Sequence, residues 1–139
     1  MATSLIRVLV ADDYKPIRQF LFSLLQNTSS GYVCWEASDG LEAVKKAEEL
    51  QPDLILLDIS LPKLNGIEVA RRIGKVSPGS KIIFVSQESS TYAVQEALGT
   101  GARGYVVKID ARRELLECVN AVLRGERFVG RRFSDHDFV

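Results

Sequence analysis

The sequence is poor in the residues that build disulfide frameworks and zinc sites. Two cysteines, Cys34 and Cys118, and a single histidine occur in the 139 residues. The two cysteines lie far apart in the chain, and neither belongs to a Cys-x-x-Cys pair. A disulfide or a zinc site therefore has little support, and both thiols are expected to be reduced.

Long apolar runs and an excess of one charge are also missing. No stretch approaches the roughly 18 consecutive apolar residues that indicate a membrane-spanning helix. The first ten residues lack the basic region, apolar core and cleavage site of a secretory signal. Lys+Arg and Asp+Glu balance at 18 each, so net charge indicates no preference for nucleic acid or membranes. We expect a cytoplasmic protein.

The chain does contain a regular alternation of strand-like and helix-like segments. Short apolar runs predict buried strands, and 3.6-residue periodicity predicts a helix after each of them. Asp39 and Asp110 are predicted helix caps. The predicted strands are 5–10, 32–37, 53–58, 81–85 and 103–107, and the helices between and after them include 66–76, 92–98 and 111–124. This alternation predicts one α/β domain, a three-layer sandwich around a five-stranded parallel sheet.

Polar residues follow four of these predicted strands. Because parallel strands all point the same way, their carboxyl ends meet at one edge of the sheet. The third strand is a run of apolar residues that ends abruptly on Asp58. The residues expected to converge at this edge are Asp12, Asp13, Asp58, Ser86 and Lys108.

The acidic residues in this group require a cation, since like charges about 4 Å apart repel by about 1 kcal/mol even in water. Carboxylates without histidine or cysteine nearby suit Mg²⁺. A metal, an ammonium, a hydroxyl and a carboxylate together are typical of a phosphoryl site. We interpret Asp58 as the nucleophile and the pair Asp12 and Asp13 as the metal ligands. The plain alternative is that each is a solvated loop residue, with Lys108 in an ordinary surface ion pair.

The motifs around these residues resemble the receiver domain of bacterial two-component response regulators, over about residues 5–125. The resemblance implies the flavodoxin-like and CheY-like fold with strand order 2-1-3-4-5. The motifs that carry it are Val10-Ala11-Asp12-Asp13, Pro52-Asp53-Leu54-Ile55-Leu56-Leu57-Asp58, Leu61-Pro62-Lys63-Leu64-Asn65-Gly66-Ile67-Glu68, Val85-Ser86 and Gly101-Ala102-Arg103-Gly104-Tyr105-Val106-Val107-Lys108.

The resemblance also implies a role for each site residue. Asp58 would accept a phosphoryl group from a partner sensor histidine kinase. Asp13 would bind Mg²⁺ directly, Asp12 mostly through water, and Ser60 through its backbone carbonyl, with Asp58 also in the metal shell. Ser86 and Lys108 would bind phosphoryl oxygens, and the ring of Tyr105 would follow the state of Ser86. Such a domain is a phosphoacceptor switch rather than an enzyme.

The glycine-rich approach to Tyr105 and the end of the last helix resemble receivers of the NarL/LuxR type. Those usually precede a helix-turn-helix domain, so we expect residues 1–125 to be the receiver and 126–139 a tail or the start of a linker. This chain itself is not expected to contact nucleic acid or a membrane, and a DNA-binding domain is expected to be missing from it. The sequence leaves three questions open: whether the receiver forms a homodimer on phosphorylation, whether it is cut from a longer regulator or stands alone, and which output partner it controls.

Three residues near the expected site depart from the family pattern or adjoin the phosphate. Gln87 stands where a small residue is usual and would crowd the pocket. Ser60 and Glu88 would influence phosphoryl lifetime in a direction that the sequence leaves open. Because Gln87 would block the pocket, a second hypothesis is a protein-interaction module that works without phosphorylation. A third, a phosphohydrolase, lacks a general acid or base because Ser60 stands where one would be needed.

Overall fold

A parallel sheet of six strands forms the centre of the structure, a computed structural model that describes residues 5–28 and 31–133. The strands lie in the order β2-β1-β3-β4-β5-β6, and every neighbouring pair is parallel. Their bounds are β1 Ile6–Ala11, β2 Tyr32–Ala37, β3 Leu54–Leu57, β4 Lys81–Ser86, β5 Gly104–Val107 and β6 Phe128–Val129.

The helices that connect these strands cover both faces of the sheet. They are α1 Lys15–Gln26, α2 Gly40–Leu50, α3 Gly66–Val76, α4 Thr91–Leu98 and α5 Ala111–Leu123, with one 3₁₀ turn at Lys108–Asp110. Buried side chains of α2, α3 and α4 share one core cluster, and those of α1 and α5 share the other. Three layers result, as the sequence predicted. None of the helices in the described ranges is long and apolar enough to cross a membrane.

The two cores are separated by the alternation of side chains along the central strands. Leu9 and Ile55 point into the core beneath α2, α3 and α4, whereas Val8 and Leu54 point into the core beneath α1 and α5. All four side chains are fully buried. Burial on both faces explains why β3 reads as a continuous apolar run rather than an alternating one.

Local signals placed most elements correctly. The predicted bounds of β2 and α3 agree with the structure, and Asp39 caps α2 by accepting a hydrogen bond from the Glu42 amide at 2.8 Å. The predicted cap at Asp110 is wrong. Asp110 already has helical backbone angles and makes no capping bond to α5; its carboxylate instead accepts hydrogen bonds from Arg113 and Arg132.

The sixth strand is an addition to the predicted five. Residues 126–133, expected to be a tail or linker, lie along the outer edge of β5, where β6 extends the sheet. The predicted order 2-1-3-4-5 is confirmed for the other five strands. The division of the chain at residue 125 stays a prediction, and 134–139 lie outside the described residues.

Candidate functional site

The acidic residues lie at the carboxyl edge of the sheet, between β1 and β3. In the sheet, β1 lies between β2 and β3. The connection after β1 leads to one side, and the connection after β2 crosses back to the other side. A crevice opens at this point, where the strand order reverses. The ladder of backbone hydrogen bonds continues into this edge. The Asp12 amide donates to Ala37 O at 3.1 Å, and the Asp58 amide donates to Ala11 O at 3.0 Å. The sheet therefore fixes the backbone of both aspartates.

Three carboxylates meet in this crevice. Asp12, Asp13 and Asp58 each offer an oxygen within 4.8 Å of the others. Asp12 and Asp58 are buried, whereas Asp13 is exposed and marks the side open to solvent. Carboxylates held this close and partly out of water require a positive charge among them.

Lys108 supplies a positive charge from the end of β5. Its Nζ donates a hydrogen bond to Asp58 Oδ2 at 3.1 Å and lies 2.8 Å from Asp12 Oδ2. Burial raises the pKa of the Asp58 carboxyl; Lys108 opposes that rise and Asp12 adds to it. Burial alone would lower the pKa of Lys108, but its contacts with Asp12 and Asp58 outweigh burial and raise it. The ammonium is thus held in its charged form between two carboxylates.

Both oxygens of Asp12 already have a partner. Asp12 Oδ1 accepts a hydrogen bond from the Tyr14 amide at 2.9 Å, and the buried Oδ2 lies 2.8 Å from the Lys108 ammonium. The three residues of the acidic cluster offer carboxylate oxygens and no nitrogen or sulfur ligand. An all-oxygen donor set of this kind fits a hard divalent cation such as Mg²⁺.

Ser86 and Tyr105 lie on the other side of Asp58, on β4 and β5. Ser86 is buried, and its Oγ accepts a hydrogen bond from the Glu88 amide at 3.2 Å. The Tyr105 hydroxyl donates a hydrogen bond to the Glu88 carbonyl at 2.7 Å. Burial raises the pKa of Tyr105 to about 12, so the phenol stays protonated. The loop after β4 therefore joins Ser86 to the ring of Tyr105.

Ser60 and Gln87 are both exposed. Burial raises the pKa of the Asp58 carboxyl, and the Ser60 backbone has a small opposing effect. Gln87 directs no hydrogen bond toward Asp58, Ser86 or Lys108 among the contacts of the described chain. The expected crowding of the pocket by this side chain stays a prediction.

Sequence reasoning missed two residues that shape the site. A Cβ on Gly66 would lie only 2.1 Å from the Asp58 carbonyl oxygen, so α3 begins against the backbone of Asp58. Arg18, on α1, donates to the Asp12 carbonyl at 2.7 Å and to Glu36 at 2.5 Å, which braces the loop after β1. The start of α3 was visible as a helix signal, but no local pattern indicates that its glycine touches Asp58.

The sequence profile of the response regulator receiver domain matches residues 8–120, which is most of the chain. The chain belongs to the response regulator receiver family. This receiver is 38% identical over 117 residues to the chemotaxis protein CheY of Thermotoga maritima, an alignment covering 84% of this chain and 96% of that protein. The expected family and its CheY-like fold are confirmed.

Relatives with further sequence are also similar to this receiver. It is 31% identical over 125 residues to the response regulator GacA of Pseudomonas viridiflava, covering 90% of this chain but only 58% of that protein. A crystal structure of a LuxR-family two-component response regulator from Aurantimonas sp. superimposes with a TM-score of 0.83 at 30% identity, covering 93% of this chain and 92% of that one. The solved structures similar to this receiver thus include one of the LuxR type. The receiver spans little more than half the length of regulators such as GacA.

Proposed function

We propose that Asp58 accepts a phosphoryl group from a sensor histidine kinase in the cytoplasm, and that this reaction requires Mg²⁺. The observation that carries the proposal is the position of Lys108, whose ammonium bridges Asp58 and Asp12 inside the acidic cluster. Asp58 is the carboxylate that has metal-binding oxygens on one side and the hydroxyl-bearing end of β4 on the other. This arrangement suits a nucleophile whose product carries extra negative charge.

In the proposed reaction, an Asp58 carboxylate oxygen attacks phosphorus and forms an acyl phosphate. The bond from phosphorus to the donor histidine nitrogen breaks, and its electron pair stays on that nitrogen. Lys108 then pairs with the new phosphoryl oxygens in place of the carboxylate charge. Ser86, whose Oγ already accepts from the Glu88 amide, keeps its own proton to donate to a phosphoryl oxygen.

The Mg²⁺ ion would be held by Asp12, Asp13 and Asp58, with the Ser60 backbone carbonyl as the further ligand that the family resemblance implies. Bound there, it supplies charge neutralisation for the phosphoryl oxygens. The exposed Asp13 lies on the solvent side of the cluster, so its carboxylate would be the ligand most accessible to an ion that keeps part of its water shell.

The signal would leave the site through Ser86 and Tyr105. A phosphoryl group that engages Ser86 stabilises one arrangement of the loop after β4, and through Glu88 it stabilises one position of the Tyr105 ring. The surface formed by α4, β5 and α5 then shifts in population between two packings. That surface would control a homodimer, another partner, or a DNA-binding domain in a longer regulator, without nucleic-acid contact or turnover by the receiver itself.

The test is a titration with Mg²⁺ followed by beryllofluoride, a phosphoryl mimic, monitored through backbone amide chemical shifts. We expect saturable changes at residues 12–13, 58–60 and 86–88 that need both Mg²⁺ and beryllofluoride. Asp58→Asn should abolish the beryllofluoride response while leaving the fold intact. No response at millimolar Mg²⁺ would overturn the proposal in favour of a module that works without phosphorylation. Turnover of a general phosphoester would instead favour the phosphohydrolase.

A further inference from the structure

The segment after α5 returns to the sheet. Residues 126–133, which we call the docked tail, run parallel to β5. The Phe128 amide donates to Arg103 O at 3.0 Å, and the Gly130 amide donates to Tyr105 O at 3.0 Å. The tail thereby occupies the otherwise open edge of the sheet, beside the strand that carries Tyr105 and Lys108.

Charged contacts fasten the docked tail to α5. The Arg131 amide donates to the buried carboxylate of Glu114 at 3.0 Å, and the Arg131 guanidinium pairs with Glu117. The Arg132 Nε donates to Asp110 at 2.6 Å. Two arginines of the tail thus face three acids of the α5 region, a complementarity that favours this docked position over an extended one.

Phe133, the last described residue of the docked tail, contacts the ring of Tyr105. The rings of Phe133 and Tyr105 have centroids 6.0 Å apart and are nearly perpendicular, at 87°. On the other side, Tyr105 stacks on Phe84 at 6.2 Å and 29°. Between these neighbours Tyr105 has no exposed surface. The ring therefore cannot swing toward the tail side unless Phe133 moves.

We infer that Phe133 is a positioning residue for Tyr105, and that the docked tail is energetically coupled to phosphoryl binding at Asp58. Phe133 holds the ring inward, where its hydroxyl bonds to Glu88 O beside Ser86. That is the arrangement that a phosphoryl group would favour through Ser86. The inference rests on the proposed function, and it adds that the segment leaving the receiver senses the state of the site.

Coupling of this kind is reciprocal. If the docked tail strengthens phosphoryl binding by some factor, phosphoryl binding stabilises tail docking by the same factor. A single perpendicular aromatic contact of this kind corresponds to roughly a two- to tenfold change in an equilibrium constant.

The decisive measurement is the beryllofluoride affinity of four proteins in saturating Mg²⁺: the unchanged chain, Phe133→Ala, Tyr105→Phe and the double variant. We expect Phe133→Ala to weaken binding roughly two- to tenfold. In the Tyr105→Phe background, which lacks the hydroxyl bond to Glu88, removing the Phe133 ring should have no further effect. A purely structural role for Phe133 would weaken binding equally in both backgrounds.

Two matched variants and one reciprocal measurement complete the test. Phe133→Tyr keeps the ring and should bind beryllofluoride like the unchanged chain. Phe22→Ala removes a half-buried ring on α1, in the opposite core, and should leave the beryllofluoride affinity unchanged. Amide hydrogen exchange at Gly130 should slow when beryllofluoride saturates the unchanged chain, but not in Phe133→Ala.

The outcomes separate the inference from the function on which it rests. Equal affinity of Phe133→Ala and the unchanged chain, or an equal loss in the Tyr105→Phe background, overturns the coupling while phosphoryl binding stands. Failure of the unchanged chain to bind beryllofluoride overturns both.

Discussion

The Lys108 ammonium lies 3.1 Å from Asp58 Oδ2, on the carboxylate that we propose as phosphoacceptor. No other lysine or arginine forms an ion pair with Asp58 in the described part of the chain. The same ammonium lies 2.8 Å from Asp12. One cation therefore offsets the charge of two buried acids, and a new anion at Asp58 must compete with Asp12 for it.

Replacing Lys108 by alanine should lower the free energy of unfolding in the absence of Mg²⁺ by about 3 kcal/mol, because two buried carboxylates then face each other without a cation. Mg²⁺ should restore part of this loss, and beryllofluoride binding should disappear. Urea unfolding with and without Mg²⁺ measures the effect. Lys75→Ala, an exposed lysine on α3, is the control and should change little. Equal stabilities of the two variants would contradict a role for Lys108 as the cluster's cation.

Neutralising Asp13 should weaken Mg²⁺ binding. Asp13→Asn keeps the shape of the side chain but removes a charged ligand. We expect the Mg²⁺ affinity to fall more than about tenfold, because mutation of even the outer hydrogen-bonding partners of a metal site lowers metal affinity by at least about that factor. Asp53→Asn is the matched control, since Asp53 is also exposed but precedes β3 at the opposite end, where it accepts a bond from the Arg7 amide. Mg²⁺ titrations monitored through amide chemical shifts measure the affinity of each variant. Similar Mg²⁺ affinities of the two variants would exclude Asp13 as a ligand.

Gly66→Ala should destabilise the receiver and displace the Asp58 backbone. The added methyl would overlap the Asp58 carbonyl, 2.1 Å away, and forcing such overlap into a packed region costs about 1 to 3 kcal/mol. Gly74→Ala on the same helix meets nothing within 4 Å and should be neutral or stabilise by up to about 1 kcal/mol. Thermal unfolding compares the two variants, and the amide shift of Asp58 should change in Gly66→Ala alone. An unchanged Asp58 in Gly66→Ala would refute the close contact.

The pairing of Asp110 predicts a loss of stability in acid. Hydrogen bonds from Arg132, followed by those from Arg113, lower the pKa of the Asp110 carboxyl despite its burial. Because the folded pKa lies below the unfolded value of about 4, this contribution is present above pH 4 and is lost as the pH falls through the folded pKa. As the pH falls below about 4, the free energy of unfolding should therefore decrease less in Asp110→Asn than in the unchanged chain. Urea unfolding at several pH values tests this, and parallel pH profiles would contradict it.

The sequence by itself determined the alternation of strands and helices, the residues at the sheet edge and the family. The spacing of apolar residues along a short segment predicts its secondary structure, and the apolar run before Asp58 predicts a strand buried on both faces. A parallel sheet then brings together the residues that follow its strands. These rules alone bring Asp12, Asp13, Asp58, Ser86 and Lys108 to one edge of the sheet.

Only the tertiary structure decided the contacts between segments far apart in the chain. Nothing local to Asp110 indicates that its carboxylate pairs with Arg132 instead of capping the start of α5. The strand β6 is too short, and its neighbours in the sequence are too polar, to be recognised as a strand. The contact between Phe133 and Tyr105 exists because the edge of β5 and the acids of α5 together hold the tail in place. Such a contact depends on complementary surfaces formed by folding, and no spacing rule along the chain encodes it.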